Sequence, residues 1–365
     1  MAAPHTPAWH REPVEVRLLD ARDERALAAW HAVMQASERE MWPDRTGFAL
    51  RDVRAYAAFA GLSRRFVHLA ASEGGGPVLG VGVMECPMLD NRHAAEVTIA
   101  VHPAQRRRGV GTALVEEMVR QAAGDGRTVL NALVDLPLAV AETHPSVPFA
   151  RHVGFVATLP GNSRYLSVPL AAETMDGLRR AVTAARGAAA YRTHTFETPW
   201  PGHYVEDHCE LQRRMSTDEP AGDGEREEEV WDARRIAEDD ELLRARGAWK
   251  LAAVAEHIGS GRLVAFSELL LAPDAPAESW QIGHAGPPRA PGAPTRAGGE
   301  AGQSRGSGAR GPAGAANRDG QRPGQRTHDR RQRPHGIRGG RCGLLLAEGG
   351  PARLSPVPGP LRSFA

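Results

Sequence analysis

The stretch Glu96-Val-Thr-Ile-Ala-Val101-His-Pro103-Ala-Gln-Arg106-Arg-Arg-Gly109-Val-Gly111-Thr112-Ala-Leu114 decides how the chain is read. Glu96 to Val101 has the apolar, β-branched content of a strand, and Pro103 to Gly109 has the composition of a loop. From Val110 to Ala123 the side chains of Val110, Leu114, Met118 and Ala122 recur at helical spacing, forming one apolar stripe. A strand that runs through a glycine loop into a helix gathers free backbone N–H groups at the helix N-terminus, where they and the helix dipole stabilise a pyrophosphate. Gly109 and Gly111 let backbone approach such an anion, and Arg106, Arg107 and Arg108 add positive charge beside it. A Gly-x-Gly by itself also fits an ordinary strand-to-helix turn.

Outward from this stretch, apolar runs alternate with helical patterns from about residue 13 to residue 170, as in a mixed α/β domain. Val14 to Leu19 reads as a strand, and Glu24 to Glu38 as a helix with Leu27, Trp30 and Met34 on one side. Phe66 to Ala71 and Pro77 to Cys86 read as a hairpin around Glu73-Gly-Gly-Gly76. Thr128 to Val134 is a further strand, Ser146 to Val153 a short helix, and Phe155 to Val168 a closing strand.

Arg106-x-x-Gly109-x-Gly111, following a strand that ends Val101-x-Pro103, resembles the acetyl-CoA loop of the GNAT superfamily of N-acetyltransferases. Phe149-Ala-Arg-His-Val-Gly154-Phe155 resembles that superfamily's Phe-Tyr-x-x-x-Gly-Phe, at the expected distance. The resemblance implies an α/β fold with a mixed, mostly antiparallel sheet flanked by helices, and transfer of acetyl from acetyl-CoA to a primary amine without a metal. It implies that Ile99, Ala100 and Val101 lend backbone groups to the pantetheine arm and thioester. Arg106, Arg107, Arg108, Gly109, Val110, Gly111 and Thr112 would cradle the pyrophosphate. Glu96 falls where some small-molecule members, such as the phosphinothricin type, carry the general base that frees the amine lone pair for attack. The competing role for Glu96 is that of a solvated strand carboxylate.

The sequence also departs from that pattern. Ala150 stands where the superfamily often has its acidic Tyr, and the Asn common ahead of that helix is missing, with Thr143 and His144 nearby. His144 and His152 are the candidate substitutes. A lobe that binds acetyl-CoA without catalysing transfer, supporting an active partner lobe that is lost, is therefore the alternative to an enzyme.

Residues 171–190 read as a helical linker. Residues 191–281 resemble the start of a second domain of the same superfamily, through Trp200-Pro-Gly202 and Met215-Ser-Thr-Asp218-Glu-Pro220, but no second acetyl-CoA loop follows the strand at Leu263. The expected architecture is thus tandem, with an incomplete second copy. Residues 282–365 are rich in Gly, Pro, Arg, Ala and Gln with almost no aromatic residues, a composition expected to be disordered. When residues from Gln281 onward are back-translated and read one nucleotide later, degenerate codons allow Asp-Thr-Leu-Val and then His-Arg-Gly-His-Arg-Leu-Gly-Leu, the missing loop. Farther on, the same frame allows a closing motif with Met-Gly-Phe, which makes a frameshift near Gln281 the favoured account of the tail. Its Arg and Gly content would otherwise suit RNA, but residues for base stacking are lacking, so nucleic acid is not expected as a partner.

Composition bounds the remaining choices. Lys+Arg 45 against Asp+Glu 44 gives a formal charge of +1, so no global field draws the chain to nucleic acid or anionic membrane. Gly 40 and Pro 28 in 365 residues, well above the average of about 12%, reflect the tail. Cys86, Cys209 and Cys342 are scattered and odd in number, which fits a reducing cytoplasm better than a disulfide framework or a zinc site. No apolar run approaches membrane-spanning length. His203, His208 and Cys209 lack metal-ligand spacing and read as a hydrated loop. The acidic runs at Glu225 to Glu229 and Glu238 to Glu241 read as the solvated face of a helix spanning Glu225 to Arg246. The acceptor, a small-molecule or peptide amine, and the choice between monomer and homodimer stay open.

Overall fold

The computed structural model describes residues 12–285, except 46, 142, 186, 219–225 and 276–278, together with residues 341–347. The first lobe runs β1 (Val14–Leu18), α1 (Glu24–Met41), α2 (Leu50–Ala57), β2 (Arg64–Glu73), β3 (Gly80–Pro87), β4 (Ala94–Val101), α3 (Val110–Gly124), β5 (Val129–Pro137), α4 (Ser146–His152) and β6 (Val156–Ser163). Asp23 starts α1 by accepting a hydrogen bond from the Ala26 amide at 2.9 Å. The buried residues Leu27, Trp30, Val33 and Met34 then keep one face of that helix inward over its whole length. Helix α2 lacks the long periodic signal that marks α1, and the sequence did not reveal it.

Strands β1 to β4 form an antiparallel meander, and β5 joins β4 in parallel. Alternation along the strands gives the sheet two buried faces. Leu69, Met84, Val97, Leu114 and Met118 pack on the α3 side, and Leu27, Trp30, Val81 and Ala100 on the α1 side. The sheet is therefore covered by helices on both faces, and the whole reproduces the expected mixed, mostly antiparallel α/β class.

The second lobe follows α5 (Ala172–Ala184) with β7 (Tyr191–Glu197), α6 (Val205–Asp218), α7 (Ala233–Ala245), β8 (Trp249–His257), β9 (Arg262–Leu271) and β10 (Ser279–Ala285). Its sheet is antiparallel in the order β10-β9-β8-β7. This strand–helix–helix–strand–strand–strand sequence repeats β1 through β4 of the first lobe. Trp200, Leu211, Trp231 and Phe266 anchor its core.

Three expectations are corrected here. The helix expected over Glu225 to Arg246 begins only at Ala233, where the Asp232 carboxylate accepts from the Arg235 amide at 2.8 Å. The acidic runs are only in part a solvated face: Glu227, Glu228 and Glu241 are exposed, Glu225 lies outside the described residues, and others are drawn into contacts. Glu227 and Asn91 exchange hydrogen bonds of 2.8 and 2.9 Å, the Glu238 carboxylate accepts from the Leu62 and Ser63 amides, and Asp239 is buried against Arg64. Carboxylates tolerate burial where another element supplies donors, which sequence spacing does not reveal. The His203 to Cys209 segment is likewise no hydrated loop, because His208 lies fully buried in α6 and stacks on Trp200 with ring centroids 3.6 Å apart.

The third correction concerns the tail. Ile282 to Ala285 belong to β10, and β11 (Arg341–Ala347) lies between β5 and β6, parallel to both. A strand with two partner edges satisfies its amides on both sides, and Leu344 to Leu346 form an apolar run in a segment otherwise poor in them. The rest of the span expected to be disordered lies outside the described residues.

Candidate active site

The opening in the sheet lies beside β4. Its pairing with β5 runs from Ala94↔Val129 to Val97↔Ala132 and stops, although β4 continues to Val101 and β5 to Pro137. On the opposite edge β4 stays paired with β3 from Glu96 to Val101. The backbone of Thr98 to Val101 therefore turns one edge toward a gap between diverging strands, without a partner strand there among the described residues. Ile99 and Val101 pack toward the α3 core and Ala100 toward α1, so the polar groups available at the gap are the backbone ones.

Beyond the gap, His102 caps a short turn over Pro103–Gln105, its Nδ1 accepting from the Ala104 amide at 3.3 Å. The chain then enters α3 through Arg107 at φ +62° and Gly109 at φ +84°, the left-handed region that a side chain resists. Val110, Gly111 and Thr112 form the first turn of α3, whose amides have no acceptor within the helix. Val110 itself is buried.

The glycines and arginines divide their work differently from what spacing suggests. Gly111 is small because a Cβ there would lie 3.0 Å from Cζ of the Phe149 ring, so its role includes packing against α4. Arg106 pairs with Glu40 and donates weakly to the Val101 carbonyl, while Arg108 pairs with Glu73 and Gln105. These two side chains brace the loop against α1 and the β2 end, whereas Arg107 is exposed.

Glu96 sits near the start of the gap, partly buried on the α1 side of the sheet. The Asn131 side chain donates to its Oε1 at 2.9 Å, and Glu85 faces it directly across the β3–β4 pair. Burial above all, with the Glu85 charge, pushes its carboxyl up to about 7, against the lowering effects of Asn131 and Arg226. A carboxylate poised near neutrality is suited to accept a proton.

The two histidines occupy different places. His144 lies just ahead of α4, its Nδ1 accepting from the Ser146 amide at 3.2 Å, and burial together with the nearby Arg106 lowers its pKa. His152 is exposed at the end of α4. Ala150 packs against the core, and Gly154 turns the chain into β6 at φ +96°.

A second set of residues near the end of β5 went unnoticed in the sequence. Arg45 pairs with Asp135 of β5 at 2.8 Å, lies over the Trp42 ring at 3.5 Å and donates to the Tyr165 hydroxyl at 3.1 Å. Glu38, one turn before the end of α1, is pushed up to about 7 by burial. These residues are scattered over more than 120 positions, so no local motif announces them.

Residues 17–155 match the family model described as Acetyltransferase (GNAT) family. Over those residues the first lobe is similar to a GNAT acetyltransferase domain. Among solved structures, a tandem GNAT protein from the clavulanic acid biosynthesis pathway, without acetyl-CoA, superimposes with a TM-score of 0.59 at 23% identity, covering 77% of this chain and 81% of that one. That likeness shows that the chain shares the fold of that two-lobed protein. A GNAT protein from Sphaerobacter thermophilus covers 76% of this chain and 77% of its own at 13% identity and a TM-score of 0.43. A GNAT family acetyltransferase from Brucella melitensis in complex with acetyl-CoA covers 40% of this chain and 84% of its own, at 22% identity and a TM-score of 0.29. No curated protein matches the chain. Acetyl-CoA-dependent acetyl transfer is the general chemistry of that family. Among the described residues no group of three or more His, Cys, Asp or Glu is arranged to hold a metal, and no helix is long and apolar enough to cross a membrane.

Proposed function

We propose that the first GNAT lobe transfers an acetyl group from acetyl-CoA to a primary amine of a small molecule or peptide, with Glu96 as general base. The observation that carries this reading is the divergence of β4 from β5 after Val97, with a carboxylate raised to about 7 at its edge. The donor set fits the group. Ile99, Ala100 and Val101 offer backbone hydrogen bonds to an amide-bearing arm, and the α3 amides of Val110 to Thr112, with Gly109 free of a side chain, suit a pyrophosphate. Arg107 adds exposed positive charge, and Arg106 and Arg108 hold the loop in shape.

Acetyl-CoA supplies the activated acyl group. Glu96 takes the proton from the attacking amine nitrogen, which needs the carboxylate form and so favours pH above about 7. Ala150 brings no hydroxyl to the departing sulfur, so its proton comes from solvent. No metal enters this scheme.

Ala150 is also what favours the second reading, a cofactor-binding lobe that does not turn over. Calorimetric titration of the full chain with acetyl-CoA, beside a Gly111→Glu variant that fills the space under Phe149, separates the outcomes. Binding near one equivalent that the variant loses supports the site described here. Binding without release of free CoA in the presence of any primary amine would favour the non-catalytic lobe, and absent binding would sink both.

A further inference from the structure

The candidate base of the first lobe is linked, through a first-lobe ion pair, to charges that belong to the second. Glu96 and Glu85 are directly opposed on β4 and β3, where like charges repel across a strand pair. Arg64 of β2 lies on the same face and donates to Glu85 at 3.3 Å. The same guanidinium also donates to Asp239 of α7, in the second lobe, and all three groups are buried. Asp239 thus competes with Glu85 for one cation.

A second contact approaches from the other side. Residues 226–230 cross the β3–β4 turn, held by the Glu227–Asn91 exchange and by Val230 N–H donating to Asp90 at 2.9 Å. Arg235 of α7 also pairs with Asp90, at 2.7 Å. Half-buried Arg226 immediately precedes Glu227 of this clamp, and its charge acts to favour the ionised form of Glu96. The groups facing Glu96 are therefore Glu85 from β3 with Arg64 from β2 behind it, Asn131 from β5, and Arg226. Tyr56 of α2 adds a hydroxyl on the Arg64 side.

We propose that Asp239 and Arg226 of the second lobe are positioning residues for Glu96, Asp239 acting through Arg64 and Glu85 and Arg226 directly, so that the second lobe holds the first lobe's base in its working state. This rests on the reading of Glu96 as the base, and it gives the incomplete lobe a role that needs no cofactor loop of its own.

The two residues act in opposite directions. In Asp239→Asn the guanidinium of Arg64 serves Glu85 alone, repulsion on Glu96 falls, and its titration midpoint drops by about half a pH unit. In Arg226→Gln a favourable charge is lost, and the midpoint rises by about the same amount. Carbon-13 NMR of glutamate carboxyls in the full-length protein follows this directly, the Glu96 signal being the one absent from Glu96→Gln.

A purely structural role for the clamp predicts a different pattern. Loosening would hydrate Glu96 and move both variants downward, toward the ordinary carboxylate range. Opposite shifts support the proposal; shifts of the same sign, or none, overturn it. If Asp239→Asn does not fold, Arg226→Gln alone decides, because only the charge effect moves the midpoint upward. Retained turnover in Glu96→Gln would instead remove the base reading and leave the titration result standing.

Discussion

Arg246 donates through Nε to Asp52 at 2.8 Å, and both side chains are almost entirely buried where α7 meets α2. Asp52 also accepts from the Ala49 amide at 3.0 Å, so it starts α2 and anchors the second lobe at once. The Tyr56 ring lies 5.2 Å from the guanidinium. Removing one member of such a pair strands a buried charge, which costs far more than the pair contributes. Arg246→Ala is therefore expected to lower the unfolding free energy by roughly 3 to 5 kcal/mol. Urea denaturation followed by tryptophan fluorescence checks it, and a loss below about 1 kcal/mol would mean that water enters the site.

Glu96 is expected to carry a pH signature in stability as well as in the rate of the proposed reaction. Its carboxyl is raised to about 7 from an unfolded value of 4.5, so the folded state holds the extra proton between those values. The protein then loses stability as pH rises from about 4.5 to 7, and the penalty stays constant above. Glu96→Gln keeps an acceptor for Asn131 and removes the ionisation. It should be more stable than the parent by on the order of 1 to 3 kcal/mol at pH 8 and close to equal at pH 4, while losing turnover. Equal melting temperatures at both pH values would contradict the raised carboxyl.

Gly109 meets no atom that a Cβ would strike, yet its φ of +84° is costly for any side chain. Gly109→Ala should cost about 1 to 2 kcal/mol of stability through backbone strain, leaving the packing of Phe149 on Gly111 intact. Thermal unfolding measures the first effect. Acetyl-CoA affinity should fall as well, because relaxation of the strain turns the first amides of α3 away from a common point.

The second lobe repeats the first through its fourth strand, β10, and the loop that follows β4 in the first lobe has no counterpart among the described residues. A one-nucleotide shift near codon 281 is the proposed cause. Sequencing the gene across that codon is expected to reveal it, and the restored frame should yield a chain with Arg-x-x-Gly after β10. An unchanged reading frame in independent samples would make the tail genuine.

The sequence by itself determined the class of the first lobe and the position of its candidate cofactor loop. Those features are local: a strand pattern, two glycines at fixed offsets and an amphipathic stripe lie within Glu96 to Met118, and short-range sterics and burial fix their form. It also marked Glu96, although not the cause of its altered proton affinity. Only the tertiary structure decided that Arg106 and Arg108 brace the loop, that Gly111 yields space to Phe149, and that α2 forms at all. It alone brought Arg45, Asp135 and Tyr165 together, and turned an acidic helix that looked solvated into a buried contact with Arg64. Charges acquire partners across long sequence separations, and a buried ion pair such as Arg64 with Asp239 depends on the approach of two lobes that no spacing in the chain records.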